Sequence, residues 1–408
     1  MKILLVNQPL RNRGDESAHK ALLRAILNRM SNVQIRVLFV GCTSTYSISQ
    51  FSVDDNRVEY INLHPFWRYS KISGEALVHS KRQFFWLIHP SIRQIIAHYK
   101  WADLVVCAPG GICMGGFQDW NHLFFLKMAQ YMHKKIAYYG RSIGPFSDTS
   151  SLSKRFREIS YEMLNYFSYL SLRDKKSEEI AEKIGVPYIS TVDTAFLDTP
   201  NVDLPYEILE ILRGKQYMVF VPNYLLWHYK YKTRFNLIDL IDFYSEVIRL
   251  IWNKYPNVSI VMLPQTFDQG GLNDDINLFR LIATQLNDSR VIVMPDCYSS
   301  DVQQTIISQA NFVIGARYHS IVFAINNNIP FISLSYEHKM SGLLETLNLL
   351  DNQVDFSEVM FSSENIQRCL QTIEKAITKL QKNDAAQKLA KQIAASSFQE
   401  FINFTQRL

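Results

Sequence analysis

The first half of the chain alternates short, wholly apolar runs with longer segments in which apolar residues recur every three or four positions. The run KILLV, from Lys2, is typical of a buried strand, and DESAHKALLRAILNRM, from Asp15, is typical of an amphipathic helix. Four further strands are predicted in this half, beginning at Val33, Asp103, Ile136 and Tyr169. Wholly apolar strands separated by helices predict parallel sheets covered by helices on both faces.

The alternation is interrupted between Asp198 and Gln216, where the sequence contains two prolines and no strong strand pattern. It then resumes with five predicted strands, beginning at Tyr217, Val258, Arg290, Asn311 and Ile329. Because 408 residues exceed what one hydrophobic core usually serves, two domains are expected. We predict an α/β fold of two doubly wound, Rossmann-like domains facing a cleft. The predicted domains are residues 1–205 and 206–385, and residues 386–408 form a C-terminal helical tail.

The residues that follow each predicted strand are candidates for a site, because ligands of doubly wound folds bind beyond the carboxyl ends of the strands. Glycine, arginine and small polar residues gather there in both halves. In the first half these candidates are Asn12, Gly14, Asp15, Gly110, Gly111, Arg141, Ser142, Arg173 and Asp193. In the second half they are Arg317, His319 and Lys339.

The segment NFVIGARYHS, from Asn311, carries the clearest chemistry. A strand is predicted to end at Gly315 and a helix to begin near Tyr318, where unpaired N–H groups favour anions. The fork of Arg317 binds carboxylate or phosphate, and the imidazole of His319 can donate a hydrogen bond or transfer a proton. These groups predict a small-anion pocket with acid–base chemistry beside it. The residues alone leave open a surface arginine followed by a helix-capping histidine.

The other candidates each have two interpretations. Arg173 follows a strand and is either an anion ligand or a surface residue. Gly110 and Gly111 either let the backbone approach a ligand or form a plain turn. Asp15 is either catalytic or the cap of the first helix. Lys339 either adds positive charge to the site or is solvated.

Charge and cysteine content narrow the function classes. The net charge of +5 is spread along the chain, which suits small anions or an acidic membrane surface better than nucleic acid. There is no metal motif, and the five cysteines lack zinc or redox spacing. Neither a signal peptide nor a stretch long enough to span a membrane appears. We therefore expect a cytoplasmic protein without a metal.

The region between Val58 and Trp101 mixes aromatic and basic residues. One interpretation is a peripheral contact, through residues 58–101, with the inner face of a membrane or with a lipid-linked substrate. The other is an amphipathic helical insertion whose aromatic side chains belong to the core.

Six motifs occur together and in order: NRGDE from Asn12, PGG from Pro109, GRSIGPF from Gly140, SLRDKKS from Ser171, DTAF from Asp193 and GARYHS from Gly315. The last is followed by Ala324, Pro330 and SYEHK, which ends at Lys339. With these motifs, most of the first 345 residues resemble the polysaccharide pyruvyl transferase family. Two positions depart from the family pattern. Ile112 stands where a third glycine is frequent, and Arg141 stands where glutamine is frequent, a change that could retune the acceptor side.

The resemblance implies a two-domain fold similar to GT-B glycosyltransferases. It implies transfer of pyruvate from phosphoenolpyruvate to two hydroxyls of a sugar, as a cyclic ketal, in surface, capsular or exopolysaccharide biosynthesis. The donor is a substrate, so no cofactor is expected. The acceptor is a sugar, either free or part of a lipid-linked oligosaccharide. Arg317 and Arg173 would bind the donor, His319 would be an acid or a phosphate ligand, and Asp15 would be the base. The second domain would hold the donor and the first the acceptor.

Two alternatives share this architecture. A GT-B glycosyltransferase or sugar-nucleotide epimerase would have the same fold, but no nucleotide-base or ribose motif is visible. A non-catalytic binding protein of a glycan-assembly complex is the alternative of another class. The presence of Arg173, Arg317 and His319 argues against it.

Overall fold

The computed structural model describes most of the chain. The described residues are 1–9, 12–39, 51–62, 90–116, 118–228, 231, 236–267, 274–356 and 363–408.

The chain forms two compact units, and neither is one continuous stretch of sequence. The first contains Met1–Leu10, Ala18–Asp198 and Gln392–Leu408, and the second contains Arg11–Ser17 and Thr199–Lys391. The first turn of the first helix therefore belongs to the second unit. Most of the segment that the sequence predicts as a tail, 386–408, lies on one helix, Asp384–Thr405, and the chain from Gln392 onward belongs to the first unit.

The first unit is built on a parallel sheet in the order β3-β2-β1-β4-β5-β6-β7. Its strands are β1 Lys2–Val6, β2 Gln34–Phe39, β3 Val58–Asn62, β4 Leu104–Cys107, β5 Lys135–Arg141, β6 Tyr169–Leu172 and β7 Ile189–Ser190. The helices that begin before residue 198 in the described chain are α1 Arg13–Arg29, α2 Pro90–Trp101, α3 Trp120–Tyr131, α4 Ser151–Tyr166 and α5 Lys175–Ile184.

Both faces of this sheet are buried, as its wholly apolar strands predict. Leu4 and Val6 of β1 join the core cluster on one face, and Ile3 and Leu5 join the cluster on the other. This alternation follows from the period of two along a strand. The last helix contributes Phe401 to the second cluster, which anchors the end of the chain in the first unit.

The second unit repeats the plan with a parallel sheet in the order β10-β9-β8-β11-β12-β13. Its strands are β8 Tyr217–Val221, β9 Ser259–Met262, β10 Val291–Val293, β11 Val313–Gly315, β12 Phe331–Ser335 and β13 Gln353–Asp355. The remaining helices of the described chain are α6 Tyr206–Leu212, α7 Leu237–Lys254, α8 Asp275–Leu286, α9 Ser300–Ser308, α10 Tyr318–Asn326, α11 His338–Thr346, α12 Ser363–Thr378 and α13 Asp384–Thr405.

The predicted α/β class with two parallel, helix-covered sheets is confirmed. The strand order reverses between β1 and β4 in one sheet and between β8 and β11 in the other. Such reversals open a crevice beyond the carboxyl ends of the strands, where ligands of these folds bind. Within the described residues, no helix combines the length and the apolar character needed to cross a membrane. Of the predicted membrane-contact region 58–101, residues 63–89 lie outside the described residues.

Candidate active site

The junction between β11 and α10 carries Arg317 at the edge of the second sheet. Arg317 is the N-cap residue of α10, in an extended backbone conformation, and its side chain makes no cap hydrogen bond. Gly315 permits this tight junction, because a β-carbon there would lie 2.0 Å from the hydroxyl oxygen of Ser320. That hydroxyl donates a hydrogen bond to the Arg317 carbonyl at 2.6 Å. The local sequence thus aims the guanidinium away from its own helix.

Asp275, the first residue of α8, orients the Arg317 guanidinium. Its carboxylate accepts hydrogen bonds from Nε of Arg317 at 3.0 Å and from Nη2. It also accepts from the backbone N–H groups of Gln265 at 3.0 Å and Thr266 at 2.9 Å. Burial raises the pKa of Asp275, while the charge of Arg317 and these hydrogen bonds oppose that rise. Sequence reasoning missed Asp275, since its partner lies 42 positions away.

His319, in the first turn of α10, packs against the backbone of Gly14. A β-carbon on Gly14 would come within 1.8 Å of Cγ and Nδ1 of the imidazole, so only glycine fits. The Gly14 N–H donates to Oδ1 of Asn12 at 2.7 Å, which fixes the turn. Asp15, the next residue, is half-buried. The structure therefore gathers Asn12, Gly14 and His319 within the second unit.

Arg13 and Glu16 hold this turn on the second unit. Nη1 of Arg13 lies 2.6 Å from Oε2 of Glu16, and Nη2 donates to the carbonyl of Asp296 at 2.8 Å. Oε1 of Glu16 accepts from the N–H and the hydroxyl of Ser300, at 3.0 and 3.1 Å, at the start of α9. Both side chains are buried. Neither was predicted as a site residue, although two opposite charges three positions apart in NRGDE were a usable signal.

Asp15 belongs to the same unit as His319, and this differs from the expectation that it acts from the opposite domain. The physical reason is the set of hydrogen bonds made by the first turn of α1. The N–H of Arg13 donates to the carbonyl of Gln265 at 2.8 Å, and Asn12 pairs with Thr266 in an antiparallel bridge.

Lys339 lies at the start of α11, beyond strand β12. Its Nζ is 2.7 Å from Oε2 of Glu337, and Oε1 of Glu337 is 2.8 Å from Nε2 of His228. Burial would raise the pKa of Glu337, but Lys339 and His228 outweigh it and hold that pKa well below its ordinary value. Glu337 is therefore ionised at neutral pH. The predicted ligand Lys339 thus belongs to a charged cluster that sequence reasoning did not identify.

In the first unit, Arg173 and Asp193 form a buried ion pair at the carboxyl ends of β6 and β7. Nε of Arg173 donates to the hydroxyl of Ser142 at 3.2 Å. Oδ1 of Asp193 accepts from the N–H of Ala195 at 3.0 Å. The structure thus brings these three predicted residues together, and their roles toward a substrate stay predictions.

Arg141 is fully buried and binds groups of the first unit itself. Its Nη1 donates to the carbonyl of Ala108 at 2.6 Å, and its Nη2 lies 3.0 Å from Sγ of Cys113. Its backbone pairs with Gly110 in an isolated parallel bridge. At Gly111, by contrast, no atom of the residues that the structure describes lies within 4 Å of a hypothetical β-carbon. Arg141 therefore fixes the glycine-containing loop that follows β4.

Comparison with known proteins identifies the family. The family model for polysaccharide pyruvyl transferase matches residues 12–338. The chain belongs to this family. One relative is the amylovoran biosynthesis protein AmsJ of Erwinia amylovora. It is 22% identical over 388 residues, which cover 89% of this chain and 90% of the relative. The resemblance inferred from the six motifs is therefore confirmed.

Solved structures with similar folds include a UDP-N-acetylglucosamine 2-epimerase, with a TM-score of 0.62, 10% identity and coverage of 100% of this chain and 96% of the other. The TcCGT1 structure in complex with UDP gives a TM-score of 0.59 at 10% identity, with coverage of 100% and 99%. A putative UDP-N-acetylglucosamine 2-epimerase from Listeria monocytogenes gives a TM-score of 0.57 at 11% identity. The match covers 97% of this chain and 94% of the other. At these identities the similarity shows the fold alone, and it confirms the predicted GT-B-like architecture.

Proposed function

We propose that this family member transfers the pyruvyl unit of phosphoenolpyruvate to two hydroxyls of one sugar, as a cyclic ketal, during assembly of a surface polysaccharide. The observation that carries the proposal is the pairing of Arg317 with Asp275 directly beside His319, which rests on Gly14. This arrangement supplies a fixed guanidinium, the start of a helix and an imidazole within three residues of chain.

The donor chemistry fits these groups. Phosphoenolpyruvate carries a carboxylate and a phosphate, and both are bound well by guanidinium forks and helix N-termini. Arg317 donates to Asp275 through two of its nitrogens, and a guanidinium has five N–H donors in all. Asp275 therefore keeps the guanidinium in a fixed orientation. Arg173, in the first unit, remains the second predicted anion ligand.

The reaction requires one proton to be added to carbon and two hydroxyl protons to be removed. Protonation of the methylene carbon makes the central carbon electrophilic, and the first sugar hydroxyl adds to it. The bond to the phosphate oxygen then breaks, phosphate leaves with the electron pair, and the second hydroxyl closes the ring. We assign His319 to protonation of the donor or to its phosphate, and Asp15 to one of the hydroxyl protons.

The test is phosphate release from phosphoenolpyruvate across a panel of acceptor sugars, with NMR of the product for a ketal methyl group. His319→Ala should lower turnover about 100-fold or more if the imidazole transfers the proton. Retention of nearly full activity by this variant would remove His319 from the chemistry. Free and lipid-linked acceptors belong in the same panel, because the acceptor of a surface glycan is often carried on a lipid.

The alternatives have separate outcomes in the same assay. Turnover of a nucleotide sugar without use of phosphoenolpyruvate would favour a glycosyltransferase or an epimerase. Binding of glycans with no turnover of either donor would favour the binding-protein alternative. Acceptor-dependent phosphate release with a new ketal signal would support pyruvyl transfer.

A further inference from the structure

A buried carboxylate in the second unit joins one histidine and one lysine. Glu337 accepts a hydrogen bond from Nε2 of His228 through one oxygen, at 2.8 Å, and contacts Nζ of Lys339 through the other, at 2.7 Å. The His228 side chain is 3% exposed and that of Glu337 is 11% exposed. Two cationic partners keep the carboxylate ionised. An ionised carboxylate on one ring nitrogen fixes the tautomer of a histidine and stabilises its protonated form.

The cluster lies at the same sheet edge as the candidate active site. Strand β11, which leads to Arg317, lies between β8, which leads to His228, and β12, which leads to Glu337. Asn223 ties two of these strand ends, those of β8 and β11, together. The side chain of Asn223, after β8, donates to the carbonyl of Ala316 at 3.4 Å.

Tyr336 packs beside His228 and follows β12, the strand next to β11. Its ring lies 6.1 Å from the ring of His228, and its carbonyl accepts from the hydroxyl of Tyr231 at 2.8 Å. Burial and the Glu337 carboxylate raise the pKa of the Tyr336 hydroxyl, and the charge of Arg317 opposes them. The charges of Glu337 and Arg317 therefore both act on the Tyr336 hydroxyl.

A purely structural role explains this arrangement poorly. A buried ion pair is seldom more stabilising than apolar residues of the same volume, because desolvation offsets much of the attraction. His319 has Gly14 and the Tyr318 ring against its imidazole, with ring centroids of His319 and Tyr318 5.0 Å apart. His228 has the Glu337 carboxylate against its Nε2. This carboxylate equips His228 for proton transfer in a step separate from the one assigned to His319.

We propose that His228 is a proton-transferring residue of this site and that Glu337 positions it. The inference rests on the proposed pyruvyl transfer, which must remove two hydroxyl protons. In the ring-closing step, the second hydroxyl oxygen bonds to the central carbon and its proton moves to Nδ1 of His228. Phosphate has already left with its electron pair, so the proton passes from His228 to phosphate or water. Glu337 stabilises the intermediate imidazolium through Nε2, and Lys339 keeps Glu337 ionised.

The first experiment compares His228→Asn with the wild-type protein in the phosphate-release assay. The turnover number of the variant should fall about 100-fold or more, with the KM for phosphoenolpyruvate changed less than about threefold. Glu337→Gln should lower turnover about tenfold, and Glu337→Asp should restore part of it. His133→Asn is the matched control, because His133 is exposed in the first unit and its φ of 50° suits asparagine.

A second measurement does not depend on activity. Long-range ¹H–¹⁵N spectra of the histidine rings should show the proton of neutral His228 on Nε2. A proton on Nδ1 would overturn the inference, as would a folded His228→Asn variant that matches wild-type turnover. A raised KM with unchanged turnover would also overturn it, since that result makes His228 an anion ligand. Absence of phosphate release by the wild-type protein with every acceptor would instead reject the proposed function itself, and with it the step assigned to His228.

Discussion

The α-carbon of Gly14 lies against the imidazole of His319, closely enough that a methyl group at position 14 would sit 1.8 Å from ring atoms Cγ and Nδ1. The Gly14 N–H is fixed by Asn12, and the next residue along the chain is Asp15. One glycine thus sets the distance between the turn that carries the predicted base and the ring that carries the predicted acid.

Gly14→Ala should therefore displace His319. The overlap is with a ring packed in the first turn of α10 and not with the tip of a flexible side chain, so the ring or the turn must move. A displacement of about 1 Å in a catalytic group can cost about 100-fold in rate. We expect a loss of that order in phosphate release, with the protein still folded by circular dichroism.

Gly116→Ala is the control for this substitution, because no atom of the described residues lies within 4 Å of a β-carbon built on Gly116. Its activity should match wild type. Equal activity of Gly14→Ala and Gly116→Ala would show that the position of His319 against Gly14 is unimportant for the reaction.

Asp275→Ala should be strongly destabilising. The substitution leaves the buried Arg317 without its carboxylate and removes the acceptor for the N–H groups of Gln265 and Thr266. Breaking a buried ion pair from one side costs about 3–5 kcal/mol. Urea unfolding followed by tryptophan fluorescence measures the change, and calorimetry with phosphoenolpyruvate measures donor binding.

The double variant Arg317→Met with Asp275→Leu separates stability from function. Apolar replacement of both partners should recover much of the stability lost in Asp275→Ala, because no charge is left buried alone. The double variant should not bind phosphoenolpyruvate, because it lacks the Arg317 guanidinium. If the double variant bound phosphoenolpyruvate as tightly as the wild type, the pair would have no part in the donor site.

Much of the fold was predictable from local sequence. Wholly apolar runs such as that from Lys2 could only be strands covered on both faces, and the helical segments between them required parallel pairing. The short strands β3 and β13 were not predicted, because the sequences VEYIN and QVD show no clear apolar pattern. Their pairing is set by neighbouring strands and not by their own side chains.

The candidate site was predictable only in part. Arg317 and His319 follow a strand directly, so their location at the sheet edge was readable from the sequence. Asp275 and His228 were not identified, because each meets its partner through a contact across many positions of chain. The assignment of residues 11–17 to the second unit could not be predicted from the sequence either, because it depends on the contact between Glu16 and Ser300.

Glu16→Ala should loosen the turn that carries Asp15. The substitution removes the carboxylate that pairs with the buried Arg13 and the acceptor for the N–H and hydroxyl of Ser300, the first residue of α9. We expect about 3–5 kcal/mol of destabilisation and faster amide hydrogen exchange at Gly14 and Ser300. Hydrogen-exchange mass spectrometry of the peptides that contain these residues measures the local effect.

Glu158→Ala provides a matched control for Glu16→Ala. Glu158 also pairs with an arginine three positions away, Arg155, at 3.2 Å, but both side chains are largely exposed. Exposed ion pairs contribute roughly 0–1 kcal/mol to stability, so the unfolding free energy of this variant should be close to that of the wild type. Similar destabilisation by both variants would contradict the anchoring role given to Glu16.

Glu337→Gln should remove a pH-dependent part of the stability. Burial opposes ionisation of Glu337, yet Lys339 and His228 lower its pKa in the folded protein below its ordinary value of 4.5. The ionised form is thus favoured by folding. Its stabilisation is fully present above about pH 5 and is lost as the pH falls through the folded pKa. The difference in unfolding free energy between the wild type and Glu337→Gln should be about 1.5–3 kcal/mol at pH 7, the range for hydrogen bonds to charged groups, and should shrink below pH 4.5.

Urea unfolding at a series of pH values between about 3.5 and 7 tests this dependence. Glu246→Gln is the control, because Glu246 is half-exposed and pairs only across one helical turn with exposed Arg249. The unfolding free energy of Glu246→Gln should differ little from that of the wild type, and the difference should change little with pH. A difference for Glu337→Gln that stays constant down to the lowest pH would mean that the carboxylate is not held ionised by its two partners. The charge on Glu337 would then be unavailable to stabilise a protonated His228.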